Sequence, residues 1–207
     1  MSKRNSKKSH LTVTPKRVNT SVQPNYGNAR VLASIFDWVV GGIVSGLPGV
    51  VVYAIFSGSS KPMTSLYVFE DAGIGRNITL MTSLLCLAFG FLYYVVIPWR
   101  VYPGQTIGKK ITHIKIVRRD GKPLNLGMLI LRQFVFLVFI EGLATATSTY
   151  VKVFLTITTK FYVDGYLTII WFALTVMSMF LLFWNHQHLA LHDRVLGTTV
   201  ILLTGNK

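Results

Sequence analysis

Acidic residues are scarce in this chain. Seven Asp and Glu stand against 21 Lys and Arg in 207 residues, a formal net charge of +14. Charge of either sign is also sparse, at 14% of residues against the roughly 25% usual in soluble domains, which argues against a soluble globular fold. The basic residues lie in blocks between apolar stretches, a pattern of membrane topology and not of nucleic-acid binding. Cysteine occurs once, at Cys86 within an apolar run, so a disulfide framework is excluded and a small buried hydrophobe is the reading. Residues 1–28 lack the apolar core of a cleavable signal peptide. No Ser/His/Asp or Cys/His set is placed for nucleophilic catalysis, so the chain reads as a non-enzyme without a cofactor.

Apolar sequence is what the chain has in quantity: 51% hydrophobic residues and a mean hydropathy of +0.50. Four segments are long enough to cross roughly 30 Å of hydrocarbon: 31–56, 77–98, 127–147 and 165–184. The first is longer than that core, which predicts tilt or a kink at Pro48. Tyr93, Tyr94, Trp99 and Tyr102 near the end of the second read as interfacial aromatics. The tail before the first segment carries six Lys/Arg and the 99–126 loop seven, whereas the 57–76 and 148–164 loops carry two each. The positive-inside rule then places both termini and the middle loop in the cytoplasm. The expected fold is an all-α membrane protein of four transmembrane helices, with a short cytoplasmic β-hairpin near 111–124, where ITHIKIVR precedes an Asp120-Gly121 turn. Residues 1–28 read as a disordered basic tail suited to anionic lipid, and 29–204 as one transmembrane domain.

Within the apolar segments the ionisable residues are the candidate site. A charge near a bilayer centre costs roughly 2.5–3.5 kcal/mol on insertion scales, and such residues are usually functional. Asp37 belongs to a ridge of small or polar residues at four-residue spacing, Ala33, Asp37, Gly41, Ser45 and Gly49, which predicts a face packed against other helices. Arg30 precedes it by about 10 Å along the helix, too far for direct pairing, so Asp37 needs a partner from another segment. Arg132 opens the third segment, and Glu141 lies about 20 Å beyond Gly127, an expected position in the outer half of the membrane.

Two further patches invite ligand chemistry. GQTIGKK at 104–110 has a glycine pair and lysines, but its spacing is not that of a P-loop, so a tight turn at the membrane surface is the better reading. HQHLALHD at 186–193 gathers His186, His188, His192 and Asp193 and puts His188 and His192 one helical turn apart, a weak metal-chelating spacing with no Cys or second acidic residue nearby to complete a set.

Taken together, Arg30 with Asp37, then GQTIGKKITHIKIVRRDGKPL (104–124), Arg132, and LHDRVLGTTV (191–200) with its HD-x5-T pattern resemble the RDD family of membrane proteins. That resemblance implies that Arg30, Asp37 and Asp193 are the arginine and two aspartates of the family name, and that Gly104, Gln105, Thr106, Gly108 and Lys109 form its cytoplasmic motif. It implies a small polytopic protein, with transport, in some members cation/proton antiport, or an accessory role. The expectation is a bacterial cytoplasmic-membrane protein with a proton or cation site built from Asp37, Asp193, Arg30, Arg132 and Glu141. The alternative is an accessory, assembly or immunity-type protein that binds a membrane partner; a homodimer fits either.

Overall fold

A computed structural model describes residues 26–58, 61–184 and 189–203. The first helix, α1, runs unbroken from Tyr26 to Phe56, with Pro48 buried inside it. A short helix α2 (Val68–Asp71) caps the far end. Helix α3 (Arg76–Phe91) returns and widens into a π-helical coil over Leu92–Val101. Then come α4 (Ile107–Ile111), β1 (Ile114–Arg118) and α5 (Leu126–Leu129), the last continuing as a π-helical coil to Ile140. A 3-10 turn (Gly142–Ala144) and α6 (Ser148–Thr159) follow, then α7 (Asp164–Trp184), α8 (Leu191–Leu196) and β2 (Thr198–Leu202).

Among the described residues, three helical stretches are long and apolar enough to cross a membrane: Gly27–Phe56, Arg76–Val101 and Asp164–Trp184. The expected third span, 127–147, is not one helix. Its helical part ends at Ile140, too short by this measure, and the expected 148–164 loop is largely α6. Arg76, at the start of α3, donates to the Ile157 and Thr158 carbonyls near the end of α6. The chain from Leu126 to Thr159 thus runs the length of the bundle as two part-helices joined at Glu141–Thr147. The broken joint is held by side chains: Ser148 donates to the carbonyls of Gly142 and Thr145, and the Trp171 indole donates to Phe139 O at 3.0 Å. Backbone freed from helical bonding is tolerated at membrane depth only where protein satisfies it, and this is how it is satisfied here.

The exterior is apolar and much of the interior polar. Ile43, Ile55 and Ile169 are 64%, 68% and 71% exposed, as suits helices whose solvent is lipid, while Arg132, Gln133, Asp37 and Asp193 are buried. The small-residue ridge of α1 does face its neighbours. A methyl at Gly41 would collide with the Tyr94 ring, and Ser45 accepts a hydrogen bond from Thr147 at 3.1 Å. At one end Ala33, Ile114, Ile116 and Val200 form a core; at the other, Tyr53, Leu66, Phe69, Ile74 and Val153 form a second.

The expected hairpin at 111–124 is replaced by a different pairing. β1 pairs antiparallel with β2, Ile116 opposite Val200, and Leu203 N–H reaches His113 O at 2.7 Å. The alternation of Ile114 and Ile116 was a strand signal, but periodicity does not name the partner. Asp120-Gly121 is a turn, with Gly121 at φ +74°, but no second strand follows it. Instead Asn125 caps α5 through a 2.8 Å bond from Met128 N–H.

Candidate functional site

Two polar knots lie toward the end of the bundle where α1 begins, and a third lies at mid-bundle. The first is built on Asp37. Tyr93 O–H and Gly108 N–H donate to Asp37 Oδ1 at 2.7 and 2.9 Å. Thr106 O–H and Lys109 Nζ donate to Oδ2 at 2.5 and 3.2 Å. Tyr94 O–H donates to the Asp37 backbone carbonyl at 2.8 Å. Tyr93 and Tyr94 are therefore not interfacial: their rings are buried. Trp99 and Tyr102 are not buried, and Arg100 and Lys110 lie 4.0 and 3.4 Å from their ring centroids.

The GQTIGKK patch explains itself at this knot. Gly104 takes φ +78°, a conformation natural only to glycine, and the Gln105 amide donates to Ile114 O, tying the turn to β1. Thr106 caps α4, and a Cβ at Gly108 would run into the Ala33 carbonyl and the Asp37 carboxylate. The N-terminal turn of α4 does cradle an anion, as helix N-termini do, and the anion is the protein's own Asp37. Burial pulls the Lys109 ammonium below its ordinary pKa, and the Asp37 charge works against that pull.

The second knot is built on Asp193, at 0% exposure. Arg30 Nη2 lies 2.5 Å from Oδ2. Arg132 meets Oδ1 through Nη2 at 2.7 Å and Nε at 3.2 Å, and Thr198 O–H adds a 3.0 Å bond. That hydroxyl belongs to Thr198, one residue before the threonine of the HD-x5-T pattern. Burial by itself would raise the Asp193 carboxyl, but the Arg30 and Arg132 guanidiniums hold it well below the usual carboxylate range. The sequence placed Arg30, Arg132 and Asp193 together with Asp37. The structure divides them: both arginines go to Asp193, and Asp37 takes Lys109.

Glu141 carries the third knot. The chain continues past it as α6 to Thr159, so Glu141 sits at the helix break, mid-bundle. Its carboxylate accepts from Ser178 O–H at 3.0 Å and stands 3.2 Å from His192 Nδ1 through either oxygen. Ser178 in turn accepts from Leu191 N–H, which holds α8 against α7. His192 also lies 3.8 Å from Asp193 through Nε2, so neighbouring residues of α8 join two knots. His188, the other half of the suggested metal pair, lies outside the described residues; among those described, no group of three metal-type ligands occurs.

A cavity of about 410 Å³ opens beside these knots, and Arg30, Lys109, Arg132, Gln133, Glu141 and His192 contribute to its walls. Asp37 and Asp193 do not. The sequence missed Lys109 and Thr106 as partners of Asp37, and Ser178 and His192 as partners of Glu141. Residues that far apart in the chain leave no periodic signal.

Apolar helices around buried, paired acid–base knots define a helical membrane protein whose site charges are internal. The model of the RDD family matches residues 28–197, most of the chain. The protein belongs to the RDD family. Searches of curated proteins and of solved structures return no match.

Proposed function

We propose that this chain is a small multi-pass transport protein of the bacterial cytoplasmic membrane that exchanges protons, or a proton against a small cation, through Glu141 and His192. One observation carries the reading: a buried carboxylate and an imidazole, 3.2 Å apart, stand at a helix break on the wall of a cavity. A carboxylate and an imidazole at that distance are placed to pass a proton from one to the other. Ionisable groups at discontinuous helices mark ion pathways in transporters. Asp37 has donors on both oxygens, so in this reading Asp37 and Asp193 position the elements that carry Glu141 and His192. The basic tail and the 99–126 loop set both termini in the cytoplasm by the positive-inside rule.

Everted vesicles carrying a pH-sensitive dye test the proposal. Wild type should give a Na⁺- or K⁺-dependent proton flux, and Glu141→Gln should lower it at least about tenfold while remaining folded. Absence of wild-type flux, or a Glu141→Gln protein with undiminished flux, would sink it.

A second reading is an accessory or assembly protein that acts by binding a membrane partner. The saturation of Asp37 and Asp193 favours it, because saturated knots need no exchange to be useful. Purification from native membranes would then yield a stoichiometric partner, and deletion of residues 1–25 tests docking through the tail.

A further inference from the structure

The cavity beside the knots is unlike a water-filled ion path in one respect: its mouth is apolar. Ile35, Trp38 and Met179 frame it and are 55%, 51% and 44% exposed. They lie on α1 and α7, two of the helices apolar enough to cross a membrane. An opening framed that way faces hydrocarbon, and what enters from hydrocarbon carries an apolar chain. The inner wall has the opposite character. Arg30, Lys109 and Arg132 contribute three cations to it against the single carboxylate of Glu141, since the aspartates that pair with those cations do not line the cavity.

Gln133 adds an observation independent of charge. It is 0% exposed and lines the cavity. Its Oε1 accepts from Arg132 Nη1 at 3.3 Å, yet its Nε2 donors find no partner among the described residues. Thr175 Oγ1, also on this wall, is buried and equally without a bond. A buried amide N–H left unmade is costly and rare in native proteins. Here the unmet donors point to a ligand that brings acceptor oxygens. A volume of about 410 Å³ falls within the ~300–1,000 Å³ of ordinary small-ligand sites.

We propose that this cavity binds a bilayer amphiphile with an oxyanion head, its phosphate or carboxylate oxygens bonded to Gln133 Nε2 beside Arg30 and Arg132, and its chain leaving between α1 and α7 past Trp38. The amphiphile comes from the membrane and not from the aqueous phase, because the mouth offers apolar contact to a chain and none to a bare ion. The proposal stands apart from proton exchange: it is read by occupancy, so either can fail without the other.

Native mass spectrometry of the full chain, purified in detergent, tests it with dioleoyl phosphatidylglycerol as the probe. Dioleoylglycerol supplies the same chains without the oxyanion, and inorganic phosphate supplies the oxyanion without the chains. The expected result is one phosphatidylglycerol per chain, with dioleoylglycerol at least about tenfold weaker and phosphate unable to displace the lipid. Gln133→Leu, which keeps the side-chain bulk and removes the donors, should weaken binding about tenfold. Leu137→Trp, which fills the cavity from its wall, should abolish it. Equal retention of dioleoylglycerol would overturn the oxyanion head, and displacement by inorganic phosphate would overturn the membrane source. Should Leu137→Trp fail to fold, Gln133→Leu decides alone: a folded Gln133→Leu protein binding phosphatidylglycerol like wild type refutes the proposal.

Discussion

Neutralising both members of the Asp37–Lys109 pair should cost less than the sum of neutralising each alone. At the observed 3.2 Å, two unit charges attract by about 5 kcal/mol at an effective dielectric near 20. Withdrawing both groups from water costs a comparable amount, so the intact pair contributes little net stability. Breaking it is another matter. Asp37→Asn sets an amide NH2 against Lys109 Nζ and leaves a buried ammonium uncompensated; Lys109→Met leaves the carboxylate with only neutral donors. Each should cost about 3–5 kcal/mol. The double variant Asp37→Asn/Lys109→Met removes both charges and should fall short of the sum by about 1.5–3 kcal/mol, within the range of coupled neighbours. Titration of detergent-solubilised protein with sodium dodecyl sulfate, followed by far-UV circular dichroism, measures all four corners of the cycle. A single Asp37→Asn protein within about 1 kcal/mol of wild type, or strict additivity in the double variant, would refute the view of Asp37 as a fixed tie.

Two more outcomes follow from the same knots. Gly108→Ala puts a methyl against the Ala33 carbonyl and the Asp37 carboxylate and should cost about 3 kcal/mol or abolish folded yield, whereas Gly127→Ala, whose nearest neighbour would be Asn125 Oδ1 at 3.9 Å, should stay within about 0.5 kcal/mol of wild type; the same titration reads both. Asp193 has a folded-state pKa held below its unfolded value of about 3.9, so its contribution is complete above about pH 4 and is lost as pH falls from there toward the folded value. The stability gap between wild type and Asp193→Asn should therefore be constant from pH 7 to 5 and narrow below pH 4; a gap that narrows between pH 7 and 5 instead would contradict the assignment.

How much of this was legible in the sequence divides along physical lines. Helices α1, α3 and α7 announce themselves because lipid imposes one rule on about 20 consecutive residues. The packed face of α1 was legible too, since small residues at four-residue spacing expose one stripe. The third segment misled for a related reason. Hydropathy sums apolar residues through Glu141 and Gly142 and cannot see that the helix breaks there, nor that the more polar 148–159 stretch, STYVKVFLTITT, forms α6 against α3. The site residues were picked out by cost, because a charge in an apolar run is conspicuous wherever its partner lies. Their partners were not, because Arg30 and Asp193 stand 163 positions apart and nothing local in the chain records a contact made only by folding.

That separation also constrains how the site comes into being. Asp37 can be tied as soon as α1, the end of α3 and α4 are in place, since its donors Tyr93, Thr106, Gly108 and Lys109 all come from residues 93–109. The Asp193 and Glu141 knots need α8, and α8 is positioned by three independent bonds: β2 pairing with β1, Leu191 N–H on Ser178, and Arg132 on both Asp193 and Thr198. Closing so long a loop costs entropy that grows only slowly with length, but it must be met before any of those contacts is made. Arg30 and Arg132 therefore meet their shared carboxylate, Asp193, only when residues 191–202 dock. A chain truncated after Trp184 should keep α1 and α3 paired through Asp37, yet lose the carboxylate that joins Arg30 to Arg132. The two aspartates thus hold different ranks: Asp37 joins the front half of the bundle, and Asp193 joins that half to the rest while placing His192 against Glu141.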